Sequence, residues 1–261
     1  MATSANGKQY VVGKGRVYFA PFVPGTFDFD GGEDYMGNTP ELSTSQDQST
    51  LDHYDSDSGL NVKDESVVTE QNVTGTLVTD NISVENVARW FGGDVDELTI
   101  ASATALTETQ TVKRGRYIQL GTSSAYPSGR RSITNLVVKK GATTVLAPNN
   151  YEADLALARV YIEPDATGIA DDDELEFTYD QTAITRQVII GKGAPVAGAL
   201  RFIAANPIGP NKDYYYPYVK LTPNGDYALK GDEWQQIPFS FEVLKKDATT
   251  ERVYIDGRAA G

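Results

Sequence analysis

The sequence predicts a mainly β protein: a β-sandwich or barrel domain with one flanking α-helix, interrupted by a small inserted all-β domain. Three observations point there. Tyr and Phe number 15 and 9 among the 261 residues, beside many Val and Thr, and these residue types fit a pleated surface better than a helix. Strand-like runs recur along the whole chain, and a single segment carries helical periodicity. Between residues 98 and 185 the runs shorten and turn residues separate them closely, the pattern of a small β unit set into a larger one.

The elements follow in order. Gln9–Phe22 (QYVVGKGRVYFAPF) reads as the first strand, with Gly13 and Gly15 marking a bend or bulge. Val23–Gly37 is a Pro, Gly and Asp-rich connection. Glu41–Gln48 reads as a strand of alternating polar residues. A polar, acidic loop of some fifteen residues follows, and loops of that length are usually functional or disordered. Glu65–Thr79 then has period-two patterning, with Val67, Val73 and Leu77 on one face and Ser66, Glu70, Asn72, Thr74 and Thr76 on the other. Asp80 or Ser83 can cap a helix whose Val84, Val87, Ala88 and Phe91 recur at helical spacing and whose end is marked by Gly92 and Gly93. These four side chains, with Trp90 at their edge, are expected to pack the helix on a sheet.

In the inserted part, strands are expected at Thr99–Val112, Tyr117–Gly121, Ser132–Lys139, Ala156–Glu163 and Glu174–Tyr179, with turns at Pro127-Ser128-Gly129, Gly141, Pro148-Asn149-Asn150 and Pro164–Asp173. Longer strands return at Arg186–Ile190, Ala199–Ala205, Tyr214–Leu221, Ile237–Lys245 and Arg252–Asp256. The simplest division is a split domain, 1–97 with 186–261, and an insertion, 98–185.

Composition bounds the chemistry. At 40% hydrophobic residues the chain can bury a core. No apolar run reaches the length of a membrane-spanning helix, and the first residues lack the apolar stretch of a secretory signal. Cysteine is absent, which excludes disulfides, thiolate catalysis and Cys-ligated zinc and suits a reducing cytoplasm. The net charge of −13 is unevenly spread: residues 1–100 hold 17 acidic residues against five basic ones, and the rest is near neutral. An acidic surface of this kind keeps copies apart in solution and repels a phosphate backbone.

No catalytic or metal site is expected. The single histidine, His53, lies in the acidic loop without the apolar pocket that orients a catalytic base. Gly13-Lys14-Gly15 and Gly191-Lys192-Gly193 complete no phosphate-loop motif. The carboxylate runs Asp28–Asp34, Asp55–Gly59 and Asp171–Glu174 miss the spacing of a calcium loop and read as solvated turns. Lys113, Arg114, Arg116, Arg130 and Arg131 lack the aromatic interleaving of a nucleic-acid site and read as a solvated face.

Several segments together carry a resemblance: Gly15-Arg16-Val17-Tyr18-Phe19, Tyr35–Leu42 (YMGNTPEL), Glu65–Asp80 running into Asn81-Ile82-Ser83-Val84-Glu85-Asn86, Gly198-Ala199-Leu200-Arg201-Phe202, and Lys230-Gly231-Asp232-Glu233-Trp234. In these the chain resembles the tail tube proteins (major tail proteins) of long-tailed, non-contractile bacteriophages. The resemblance implies a structural virion protein without enzymatic activity or cofactor. It implies self-assembly into hexameric rings stacked as a tube, built in the host cytoplasm and ending in the virion tail. The tube is an electronegative conduit for genome ejection, through which double-stranded DNA slides without specific binding. Other tail proteins at the tube ends, a tape measure protein in the lumen and no membrane complete the implied partners. Asp47–Lys63 is then the inter-ring loop, with Asp47, Asp52, His53, Tyr54, Asp55, Asp57, Leu60 and Lys63 as contacts. Glu41, Asp64, Glu65, Glu70 and Asn72 become lumen-lining candidates, and the inserted domain lies on the tube exterior. The alternative is a surface or secreted β-sandwich binding module for carbohydrate or adhesion. Tyr214, Tyr216 and Tyr218 would be its stacking rings, on one face of a strand.

Overall fold

The computed structural model describes residues 10–57, 59–145, 147 and 149–257. Gln9, Ser58 and Pro148, each part of a segment read above, lie outside the described residues. The protein is mainly β, with 54% strand and 3% helix in several antiparallel sheets. The chain divides into two compact units, Met1–Asp96 with Ile189–Gly261 and Glu97–Val188. The sequence places the corresponding junctions at 97/98 and 185/186.

The first unit begins with β1 (Gly15–Pro21), the two-residue β2 (Asp34–Tyr35), β3 (Glu41–Asp55) and β4 (Val62–Thr79). Helix α1 (Val84–Trp90) follows, and β5 (Gly93–Ile100) leads out of the unit. In the second unit come β6 (Ala103–Thr111), β7 (Tyr117–Gln119), β8 (Ile133–Lys140), β9 (Thr143–Val145), β10 (Tyr151–Asp154), β11 (Arg159–Ile162) and β12 (Glu174–Gln181). Strand β13 (Ile184–Gly191), paired with β5, leads back to β14 (Val196–Ala204), β15 (Lys212–Pro223), β16 (Ile237–Val243) and β17 (Tyr254–Gly257).

One sheet organises the first unit, in the order β2-β1-β14-β15-β16-β4-β3, with β17 added against β15. Alternation gives it an apolar and a polar face. Val17, Phe19, Leu77, Leu200, Tyr216, Val219, Leu221, Phe239 and Phe241 fill the apolar side. The polar side shows in the cross-strand pairs Ser43–Thr76 and Thr222–Ser240, each with side-chain oxygens 2.7 Å apart. Gly75 is needed where β4 passes β3 and β16, because a Cβ there would collide with the Ser43 carbonyl and the Phe241 ring.

The sheet is curled rather than open. Strands β2 and β3 stand at opposite ends of its order, yet only Met36–Pro40 joins them. That link spans at most ~20 Å. Seven strands laid flat would put the two ends ~29 Å apart. The curl also brings Thr44 of β3 within 2.9 Å of the Tyr216 hydroxyl on β15 across the apolar face. The link is pinned from inside. Thr79 Oγ1 donates to the Met36 carbonyl at 2.8 Å, and Asn86 Nδ2 donates to the same oxygen at 3.1 Å.

Helix α1 closes one side of this core against β15 and β16. Ser83, not Asp80, caps it: the Ser83 hydroxyl accepts from the Asn86 N–H at 3.2 Å, whereas Asp80 accepts from Asn38 Nδ2. Of the four packing residues read from the sequence, Ala88 is buried and Val87 packs on the core with Trp90. Val84 is half-buried, and Phe91 is 42% exposed, because the helix ends one residue before it and its ring turns edge-on to Trp90. In their place Asn86 is fully buried, bonded to the Met36 and Asn81 carbonyls and accepting from Arg89 Nη1. Arg89 also pairs with Asp34 and lies over the Phe19 ring, which ties the helix to β1 and β2. Burial pulls its guanidinium below the ordinary value, and the Asp34 carboxylate opposes that pull.

The second unit has a separate core in which Leu120, Val138, Val160, Ile162, Leu175 and Phe177 are fully buried. A four-stranded sheet (β6-β12-β8-β9) and a three-stranded one (β10-β11-β7) supply it. Strands β9 and β10 carry no clear sequence signal, being three and four residues long between turns.

Candidate functional site

The segment read as a long acidic loop is instead the outer half of a β-hairpin. Strands β3 and β4 stay paired from Glu41↔Val78 to Asp55↔Val62, so Asp47, Asp52, His53, Tyr54 and Asp55 lie on β3 and Lys63 on β4. Asp57 and Leu60 alone remain in the turn. The reason is local: Ser, Thr and Gln fill alternating positions, and cross-strand bonds such as Ser66 Oγ to Asp52 at 2.7 Å replace an apolar face as the cohesive element. Lys63 pairs with the same Asp52 carboxylate at 2.7 Å, and the Lys63 and Ser66 hydrogen bonds together hold that carboxyl below its usual range.

Two register shifts place one extra β4 residue each, Thr69 and Asp64, against β3. Each bulge inverts the alternation, so faces must be followed through the register. Leu42, Thr44, Gln46, Gln48, Thr50, Asp52 and Tyr54 continue the core-facing side, with Val73, Gln71, Val68, Ser66 and Lys63 opposite. The other side carries Glu41, Ser43, Ser45, Asp47, Ser49, Leu51, His53 and Asp55, facing Thr76, Thr74, Asn72, Glu70, Val67, Glu65 and Val62. Of the lumen candidates, Glu41, Glu65, Glu70 and Asn72 therefore share one face. Asp64 sits at a bulge, where its carboxylate meets His53 Nδ1 at 2.6 Å.

The outer half of the hairpin exposes apolar side chains on both faces. Leu51 is 69% exposed, Leu60 70% and Val67 57%, and Leu51 and Val67 stand directly opposite each other. Tyr54, Val62 and Val68 are also exposed. Among the described residues, no strand pairs with the outer edge of β3. A long unpaired edge carrying apolar groups is a template on which another chain can pair. Sequence reading named Tyr54 and Leu60 but missed Leu51, Val62, Val67 and Val68 as contacts. Their exposure follows from the hairpin leaving the core after Val73, which no sequence period marks.

The polar face continues across the sheet. The register puts Glu242 and Lys220 beside Thr74, and Ser240 and Thr222 beside Thr76. Trp234, in the loop after β15, is 94% exposed.

The tyrosine row is not one face. A shift between Gly198 and Leu200 inserts an extra residue in β15, so Tyr214 and Tyr216 face the core while Tyr218 turns to the other side against Phe22 and Phe27. Tyr216 is buried beside Phe241, and burial raises its phenol above the ordinary value. Four of the five basic residues singled out in the inserted part are partnered. Lys113 pairs with Asp172 and Arg114 with Asp171, while Arg131 Nη1 donates to the Ser128, Arg130 and Leu157 carbonyls. Arg130 lies over the Tyr126 ring. The Asp171–Asp173 run is thus a set of ion pairs, with Asp173 against Lys140.

Over residues 10–253 the chain matches the family described as Protein of unknown function UCP028589, and it belongs to that family. No curated protein matches it.

Proposed function

We propose that this member of the UCP028589 family is a tail tube protein, a structural virion protein of a long-tailed, non-contractile bacteriophage. In this reading hexameric rings stack into the tube that conducts DNA during ejection. One observation carries it: a fifteen-residue strand pair that leaves its own core after Val73, exposes Leu51, Leu60 and Val67, and keeps β3 open along its outer edge. Such an edge is a ready template for pairing with another chain. A closed ring of identical copies covers every edge with one kind of contact.

In this reading the β3–β4 hairpin is the arm that reaches the next ring. The polar face, with Glu41, Glu70 and Asn72, lines the lumen. Carboxylates there repel the DNA backbone, so the strand passes without adhering. The role is structural, with no reaction assigned to any residue. Electron microscopy of the purified full chain at increasing concentration tests this. Rings and tubes are the expected outcome, and a species that stays monomeric in sedimentation at the highest soluble concentration would overturn it.

A further inference from the structure

Within the second unit, the three-stranded sheet β10-β11-β7 turns one face to its core and presents the other outward. The register sets the outward side chains in two rows: Glu152, Tyr161 and Tyr117, then Asp154, Arg159 and Gln119. Tyr117 is 56% exposed, yet it is held on two sides. Its ring centroid lies 4.8 Å from that of Tyr161, and the Arg159 guanidinium carbon lies 4.3 Å from its own. A cavity of about 580 Å³ opens beside it, walled by Glu152, Asp154, Leu155 and Arg159.

Gln119 spends its amide on the Leu120, Arg130, Leu157 and Ala158 carbonyls, but the charged groups around this ring are largely unspent. The Arg159 side chain is half-buried and, apart from the Tyr117 ring, makes no hydrogen bond or ion pair with another described residue. Glu152 likewise has none, and Asp154 uses one oxygen, Oδ1, to accept from the Leu157 N–H at 2.9 Å. A planar fork of donors and two carboxylates as acceptors therefore converge on a fixed aromatic surface.

Charge decides what kind of ligand suits it. An anion meets Glu152 and Asp154, and a cation meets Arg159. A neutral molecule with hydroxyls around an apolar C–H face meets neither penalty, and it uses the ring, the donors and the acceptors together. We infer that this face is a binding site for a neutral pyranose sugar, seated in the cavity against Tyr117 with its hydroxyls bonded to Arg159, Glu152 and Asp154. It is independent of the tube reading and uses none of the same residues.

Saturation-transfer NMR on the full chain tests it, with the methyl glycosides of glucose, galactose and N-acetylglucosamine as probes at millimolar concentration. Transfer to the ring C–H protons of at least one probe is expected. Tyr117→Ala should weaken that binding roughly tenfold, whereas Tyr117→Phe keeps it, with circular dichroism confirming that both variants are folded. Absence of transfer to all three probes, or transfer undiminished in Tyr117→Ala, overturns the proposal.

Discussion

Asn86 shows how much one side chain can organise. It is fully buried on the helix face turned to the core, and its amide spends both hydrogens on carbonyls and its oxygen on Arg89. Replacing it by Ala takes the amide donor from the Asn81 carbonyl, leaves the Met36 carbonyl to Thr79 Oγ1 and leaves Arg89 one acceptor short. The expected cost is about 2–4 kcal/mol. Both tryptophans, Trp90 and Trp234, lie in the first unit, so urea unfolding followed by tryptophan fluorescence reads this loss directly. A change under about 1 kcal/mol would mean that water replaces the amide.

Asp247 makes a second prediction, in pH. Its carboxylate accepts from the Thr249 hydroxyl and N–H and from the Thr250 hydroxyl and N–H, which lowers its pKa from 3.8 to about 2. The folded value lies below the unfolded one, so the turn keeps its full contribution above pH 3.8 and loses it as pH falls through about 2. The Thr249 amide shift should titrate with a midpoint near 2. A midpoint at the ordinary carboxylate value would show that these bonds do not persist in solution.

Among the elements, the hairpin divides cleanly into a base that packs and an arm that does not. Joining Ser49 directly to Glu70 through an Asn-Gly turn keeps the base register and removes both bulges. The core residues Leu42, Val73 and Leu77 are untouched, so the fluorescence-detected unfolding midpoint is expected to stay within the small range of surface changes, about 0.5 kcal/mol. Tube formation in the microscope should vanish. Tubes built by the trimmed chain would show that the arm is dispensable.

The hairpin also marks how far sequence reading reached. Period-two patterning in Glu65–Thr79 identified β4, and the alternation of Val73, Leu77 and Thr79 correctly gave the core face. The same alternation failed beyond Gln71, where Thr69 and Asp64 bulge and the face to which successive side chains point inverts twice. A run such as STLDHYDS holds no apolar alternation, so its strand is visible only through the partner it pairs with. Tyr218 failed for the same reason, since one bulge in β15 turned it from Tyr216. Helix α1 was legible in position but not in its contacts. Phe91 sits at the right spacing yet falls past the last turn, and a polar Asn86 took the buried place.

At the scale of the whole molecule, each unit owns a core that shares no residue with the other. Tryptophan fluorescence reports the first unit alone, whereas far-ultraviolet circular dichroism reports strands in both. The two signals should therefore follow different denaturation curves, and superimposable curves would show one cooperative structure. In the first unit the two crossings of the boundary lie side by side, since a Cβ on Gly93 would collide with the Ile190 carbonyl. A short linker from Asp96 to Ile189 can thus replace the whole insertion.

The link from β2 to β3 sets where this fold accepts extra chain. Residues added between Ser56 and Asn61 only lengthen a tip. Residues added within Met36–Pro40 slacken the tether between the ends of the curled sheet and widen the cleft that Asn38, Thr39 and Pro40 line with Val17, Phe202 and Tyr216. The number of residues in that tether is therefore a gauge of the sheet's curvature: five hold it nearly shut, and a related chain with a longer tether would have to fill the gap with larger side chains or with another strand.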